Sequence, residues 1–194
     1  CQKIVKNMLN ILNHKKLTFG EEKDKIHGLL FDGAWLWEEY LSTFLNEDFE
    51  HPENLTGKGK KYLFKNSKQP IYPDFISKNG TPKFVGDAKY IPLDRHKFYG
   101  EDSEKATSIY YKSITYMYRF ETNRGFLLYP CNQKDINEPF LSEKLCIEGN
   151  AENRILEKIG MTIPQHTESF GIFASKMREN ERALREYFLK KRER

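Results

Sequence analysis

Cysteine is scarce in this sequence: Cys1, Cys131 and Cys146 are too few and too scattered for a disulfide framework, and no C-x-x-C pair is present to hold zinc. Long apolar runs are missing as well, and nothing approaches the roughly 18–20 residues that cross a bilayer, which excludes a helical membrane protein. No internal repeat or low-complexity tract is evident, so solenoid and fibrous architectures drop out. An excess of one charge is also absent: 32 Lys+Arg against 28 Asp+Glu leave a net charge of +4, which permits a polyanionic partner without requiring one. His27, His51, His96 and His166 are dispersed without metal-ligand spacing, which argues against a zinc site. The segment after Cys1 has no signal-peptide apolar region. A start at Cys rather than Met leads to the expectation of a segment cut from a longer polypeptide, at home in a reducing cytoplasm.

What is present is a chain of 194 residues, 38% hydrophobic and 31% charged, long enough to bury one core. Residues 2–16 carry Ile4, Met8, Leu9 and Leu12 at helical spacing, as an incoming helix or linker over 1–27 would. The spacing predicts a stronger helix over 28–46, with Leu30, Ala34, Trp37, Leu41 and Phe44/Leu45 on one buried stripe. Glu38 falls near the edge of that stripe and Glu39 points away, so Glu38 is the glutamate expected to reach a site beside the core and Glu39 to be solvated. The aromatics of this helix, Trp35, Trp37 and Tyr40, read as core rather than as nucleobase contacts.

Short strand-like runs follow at 61–64, 71–76 and 83–90, the last two joined by a connection containing Asn79-Gly80, which predicts a hairpin. Helical spacing returns over 104–121, and GFLLYP (125–130) reads as a strand buried on both faces, reached by a crossover and paired in parallel with an earlier strand. Further strands are expected at 143–148 and 159–164, with a basic-tipped amphipathic helix over 168–192. The sum is an α/β fold with a mixed central sheet flanked by helices.

The chemistry concentrates in Tyr72-Pro73-Asp74 and Gly86-Asp87-Ala88-Lys89. Alternation along a strand puts Asp87 and Lys89 on one face, and pairing of the two runs brings Asp74 beside them. Two carboxylates so close repel unless a cation lies between them, and hard oxygen ligands suit Mg²⁺. A lysine next to such an ion is placed to orient or deprotonate water and to stabilise charge on a scissile phosphate.

Pro73-Asp74 followed by Asp87-Ala88-Lys89 resembles the PD-(D/E)XK nuclease superfamily. The wider context, LLFDGAWLWEEYL, HPEN, YLF, YPDF, VGDAKY, ITYMYRF and GFLLYP, resembles the McrC-like and LlaJI-like nuclease subunits of McrBC-like restriction systems over about residues 28–130. This resemblance implies a restriction-endonuclease-like domain over 28–194 that cleaves double-stranded DNA with Mg²⁺, for which Mn²⁺ would substitute. It implies Asp74, Asp87 and the Ala88 carbonyl as metal ligands, Lys89 as the catalytic lysine, and Glu38 as the helix acid and a further ligand. Lys112 occupies the slot where the family usually has a glutamine, and is a candidate phosphate-backbone contact. The resemblance also implies a McrB-like AAA+ GTPase partner, contacted through a region upstream of Cys1, and double-strand cleavage by paired nuclease domains. Two alternatives stay open: a nuclease of the same superfamily acting on junctions or RNA, and a non-catalytic nucleic-acid-binding scaffold of the same fold.

Overall fold

The computed structural model describes residues 17–19, 26–28, 32–52, 59–66, 68–78, 84–91, 93, 101–132, 137–149 and 154–192. The chain divides into two units, Cys1–Leu36 and Trp37–Arg194. In the first, β1 (Leu17–Phe19) and β2 (Ile26–Gly28) form an antiparallel ladder with Thr18 opposite His27. The helix expected over 2–16, like Leu30, lies outside the described residues.

The division falls inside the first turns of α1 (Gly33–Leu45). This helix starts at Gly33 rather than at residue 28, because Gly28 belongs to β2 and Asp32 caps the helix: its Oδ1 accepts the Trp35 N–H at 3.1 Å. The predicted stripe holds at Trp37, Leu41 and Leu45, which are buried, and fails at Ala34, which is exposed in the first turn.

The second unit continues through β3 (Phe49–Glu50), β4 (Lys61–Phe64), β5 (Lys68–Ile71), β6 (Phe75–Ser77), β7 (Val85–Ala88), α2 (Glu101–Arg119), β8 (Arg124–Cys131), β9 (Phe140–Cys146), β10 (Ile155–Thr162) and α3 (Phe170–Arg192). Among the described residues, β4 and β5 form their own two-stranded ladder, and the central sheet runs β3-β6-β7-β8-β10-β9. Strand β8 is parallel to both β7 and β10, and the remaining pairs are antiparallel. The predicted crossover is therefore present: β7 leads through α2 into β8, with Val85 opposite Gly125 and Ala88 opposite Leu128. The predicted hairpin is present too, with Phe75 opposite Gly86. The run 71–76 is not one strand, however. It breaks at Tyr72-Pro73-Asp74, since Pro73 has no N–H for a ladder, and this break separates β5 from β6.

Strand β8 lies inside the six-stranded sheet, buried on both faces as the apolar run predicts. Phe126 and Leu128 pack on one side with Trp37, Leu41 and Leu45 of α1 and Met177, Leu184 and Phe188 of α3. Leu127 and Tyr129 pack on the other with Tyr116 and Met117 of α2. The α3 stripe departs from expectation at Phe170, which is largely exposed. A Schellman turn ends α2: Glu121 adopts φ 50°, and the Thr122 and Glu121 N–H groups donate to Met117 O (3.0 Å) and Tyr118 O (3.2 Å). Gly86 has no alternative on β7, because a Cβ there would meet the Phe126 ring at 2.2 Å, and that ring is locked among Phe49, Phe75 and Phe188.

Candidate functional site

The strand interruption before β6 and the carboxyl end of β7 meet beside the first helix, and the acids gather there. Asp74 N–H donates to Gly86 O at 3.2 Å, and the Ala88 N–H donates to Asp74 Oδ2 at 2.7 Å, so the Asp74 side chain lies across the end of β7. Asp87 points to the α2 side of the sheet. Both aspartates are almost removed from solvent, at 7% and 1% exposure. The two carboxyls lie close enough to interact directly, and the Asp87 charge bears on Asp74.

Lys89 donates to Asp87 Oδ2 and, at 3.1 Å, to the Ala88 carbonyl. Its own N–H is tied to Leu128 O at 2.8 Å, the carbonyl that also accepts the Trp37 indole N–H at 3.2 Å. Lys112, from α2, donates to the same Oδ2 of Asp87 at 3.2 Å, with its ammonium 5.3 Å from the centre of the Tyr116 ring. The other oxygen, Asp87 Oδ1, is buried and receives no protein N–H donor.

These surroundings drive the two carboxyls apart in acidity. Burial, then the Asp87 and Glu38 charges, hold Asp74 well above the usual carboxylate range. Burial pushes Asp87 in the same direction, but Lys89 and Lys112 outweigh it and hold Asp87 below its ordinary value. Lys112 is raised in turn: burial opposes its charge, and Asp87 more than offsets that. Glu38 is raised by burial and by Asp87 and Glu39, against the pull of His51 and Lys89.

His51 is the member that sequence reasoning missed. Its Nδ1 is 2.8 Å from the Asp74 carbonyl, its ring stacks on Phe75, and its Nε2 lies 3.6 Å from Glu38 and 3.8 Å from Glu39. Spacing against other histidines could not reveal it, because its partners are carboxylates on α1. The useful signal was its place immediately after a strand that pairs with β6. Glu39 also corrects expectation: it is half-buried and reaches His51 rather than pointing into solvent. Glu38, of the two, is the one whose charge is felt at both aspartates.

An unpartnered, buried carboxylate oxygen facing a second carboxyl fits a hard divalent cation. Among the described residues no three His, Cys, Asp or Glu side chains converge as a ready-made cage. A two-carboxylate site leaves the other positions of an octahedral ion to a backbone carbonyl, water and substrate, the manner in which Mg²⁺ is commonly held.

Fold and site together describe a mixed α/β domain carrying an acid–lysine cluster at the end of a central strand. The sequence profile of the McrBC 5-methylcytosine restriction system component family matches residues 4–130, about two thirds of the chain and every residue of this cluster. The chain belongs to that family and is a McrC-like component of a restriction system. Among curated proteins, none matches it. Among the described residues, no helix is long and apolar enough to cross a membrane.

Proposed function

We propose that this chain is a metal-dependent DNA endonuclease subunit of the PD-(D/E)XK type, hydrolysing phosphodiester bonds of foreign or modified double-stranded DNA in the cytoplasm with a McrB-like AAA+ GTPase. The observation that carries the reading is the buried Asp74–Asp87 pair with its unpartnered Oδ1. Burial of two acids with one donor missing is costly unless the site serves a ligand. In this reading Asp74, Asp87 and the Ala88 carbonyl hold Mg²⁺, with Mn²⁺ a substitute, and Glu38 completes the acidic shell. The nuclease domain spans 28–194, with 1–27 leading into it.

The bound ion supplies Lewis-acid polarisation of the phosphoryl oxygen and a more acidic water. The chain's own groups do the rest. Asp74 is held across the end of β7 by the Ala88 N–H, and His51 fixes the Asp74 backbone and the Glu38 carboxylate from the other side. Lys89, already anchored to Asp87 and the Ala88 carbonyl, orients the attacking water and offsets the negative charge growing on the phosphate. Cutting both strands calls for two such domains acting together.

The test is nicking of supercoiled plasmid in Mg²⁺ or Mn²⁺, with and without a McrB-like partner and GTP, beside Asp87→Ala. We expect metal-dependent nicking that falls by about a thousandfold or more in the variant, the scale set by loss of a group acting on transition-state charge. Equal activity in both proteins, or none in the parent under any of these conditions, contradicts the proposal.

A further inference from the structure

We propose that Lys112 is a displaceable counter-ion: it occupies Asp87 in the resting site, opposes entry of a divalent cation, and moves to a phosphate of the substrate when DNA arrives. The inference rests on the metal-dependent reading above and adds a linkage between ion and DNA that this reading does not contain.

Two ammonium groups converge on one carboxylate oxygen, Asp87 Oδ2, while its twin Oδ1 has no donor. A single anion does not need both. The two lysines differ in tether. Lys89 is 19% exposed, bonded also to the Ala88 carbonyl, and held by a backbone ladder bond to Leu128. Lys112 is 43% exposed and reaches in from the surface of α2 on a flexible four-carbon stem, with the Tyr116 ring alongside. Lys112 is therefore the one able to leave without disturbing the sheet.

The charges facing the cluster support the same direction. Asp74, Glu38 and Glu39 supply the other negative groups, and Lys89 and Lys112 are the ammonium groups that face them, with the His51 ring beside Glu38 and Glu39, so part of the acid charge is already offset in the resting site. Adding a divalent cation beside Lys112 costs repulsion that a phosphodiester would relieve by taking the ammonium. Because such coupling is reciprocal, DNA must tighten ion binding as much as the ion tightens DNA binding.

The experiment titrates Mn²⁺ into the full chain, following the free-ion electron paramagnetic resonance signal, which reads affinity and not activity. Parent, Lys112→Gln and Lys112→Arg are compared with and without a short DNA duplex, after circular dichroism shows native secondary structure. Lys112→Met, which keeps the stem against Tyr116, repeats the test should the Gln variant not fold. Without DNA we expect Lys112→Gln to bind Mn²⁺ on the order of tenfold more tightly than the parent, and Lys112→Arg to resemble the parent. Duplex should tighten Mn²⁺ binding in the parent and do so much less in Lys112→Gln. If parent and Lys112→Gln bind Mn²⁺ equally, Lys112 is not a competing counter-ion and the inference fails while the metal site stands. If no protein binds Mn²⁺ with or without duplex, the metal-dependent reading fails and the inference goes with it.

Discussion

At the residue scale the site stores an unfavourable arrangement that should be visible as stability. Asp74 is held above its ordinary value of 3.8, so the folded chain grips that proton more tightly than the unfolded chain does. Its contribution is complete below the unfolded value and is lost as pH rises through the folded one. Asp87 runs the other way: held below 3.8, it contributes above the unfolded value and loses that contribution as pH falls through the folded one. In EDTA at neutral pH, Asp74→Asn should therefore raise the melting temperature, by about 2–4 °C if the relief is about 1 kcal/mol, and the gain should shrink as pH is lowered. A pH series of thermal melts of the two proteins checks this; a lower melting temperature in the variant at pH 7 would mean that the Asp74 carboxylate is well accommodated. Asp87 and Lys89 were legible in the sequence because strand alternation is a strict period of two, and Asp74 because the run that contains it pairs with theirs. Lys112 was legible as a position on α2, but its ion pair was not, since that depends on how α2 crosses β7. His51 and Glu39 were not legible, because their meeting depends on where α1 lies against β3.

At the element scale, the close approach of β7 and β8 sets a hard steric limit. Gly86→Ala should cost about 1–3 kcal/mol, the usual overpacking penalty, because the Phe126 ring it would strike has no room to move. Urea denaturation measures it, and an unchanged midpoint would show that the aromatic cluster yields. Helix α3 is fastened differently. Glu157 of β10, 4% exposed, accepts from Lys191 and Tyr187 of α3 and from Ser142 of β9. Burial pushes this carboxyl up, but the three donors overcome it and hold it below its ordinary 4.5. Its contribution is thus present above the unfolded value and is lost as pH falls through the folded one. Glu157→Ala leaves the half-buried Lys191 without its carboxylate and the Tyr187 and Ser142 hydroxyls without their acceptor, and should cost about 1–3 kcal/mol at pH 7, with the difference from the parent narrowing in acid. The long helices α2 and α3 were legible because their apolar spacing repeats, and β8 because its apolar run is unbroken. The two-residue β3 is too short to carry a period, and the start of α1 was hidden because Asp32-Gly33 sets the boundary by a side-chain cap rather than by hydrophobic pattern.

At the scale of the whole molecule, the family match ends at residue 130 while the sheet does not. Strand β10 pairs along the whole of β8, from Ile155 opposite Arg124 to Thr162 opposite Cys131, and α3 closes the core with Leu184 and Phe188. A chain ending at residue 132 would leave β8 as a long apolar edge and should neither fold cooperatively nor stay in solution; a cooperative melt by circular dichroism would contradict this. The segment beyond the match is in this account part of the scaffold that holds Asp87 and Lys89 in place. The proposal that Asp74 and Asp87 are two arms of one cation site is open to diffraction from crystals soaked in Mn²⁺. We expect an anomalous peak within bonding distance of a carboxylate oxygen of each aspartate, accompanied by movement of Lys112 off Asp87. Crystals that take up Mn²⁺ elsewhere, with none between the two carboxyls, would contradict it.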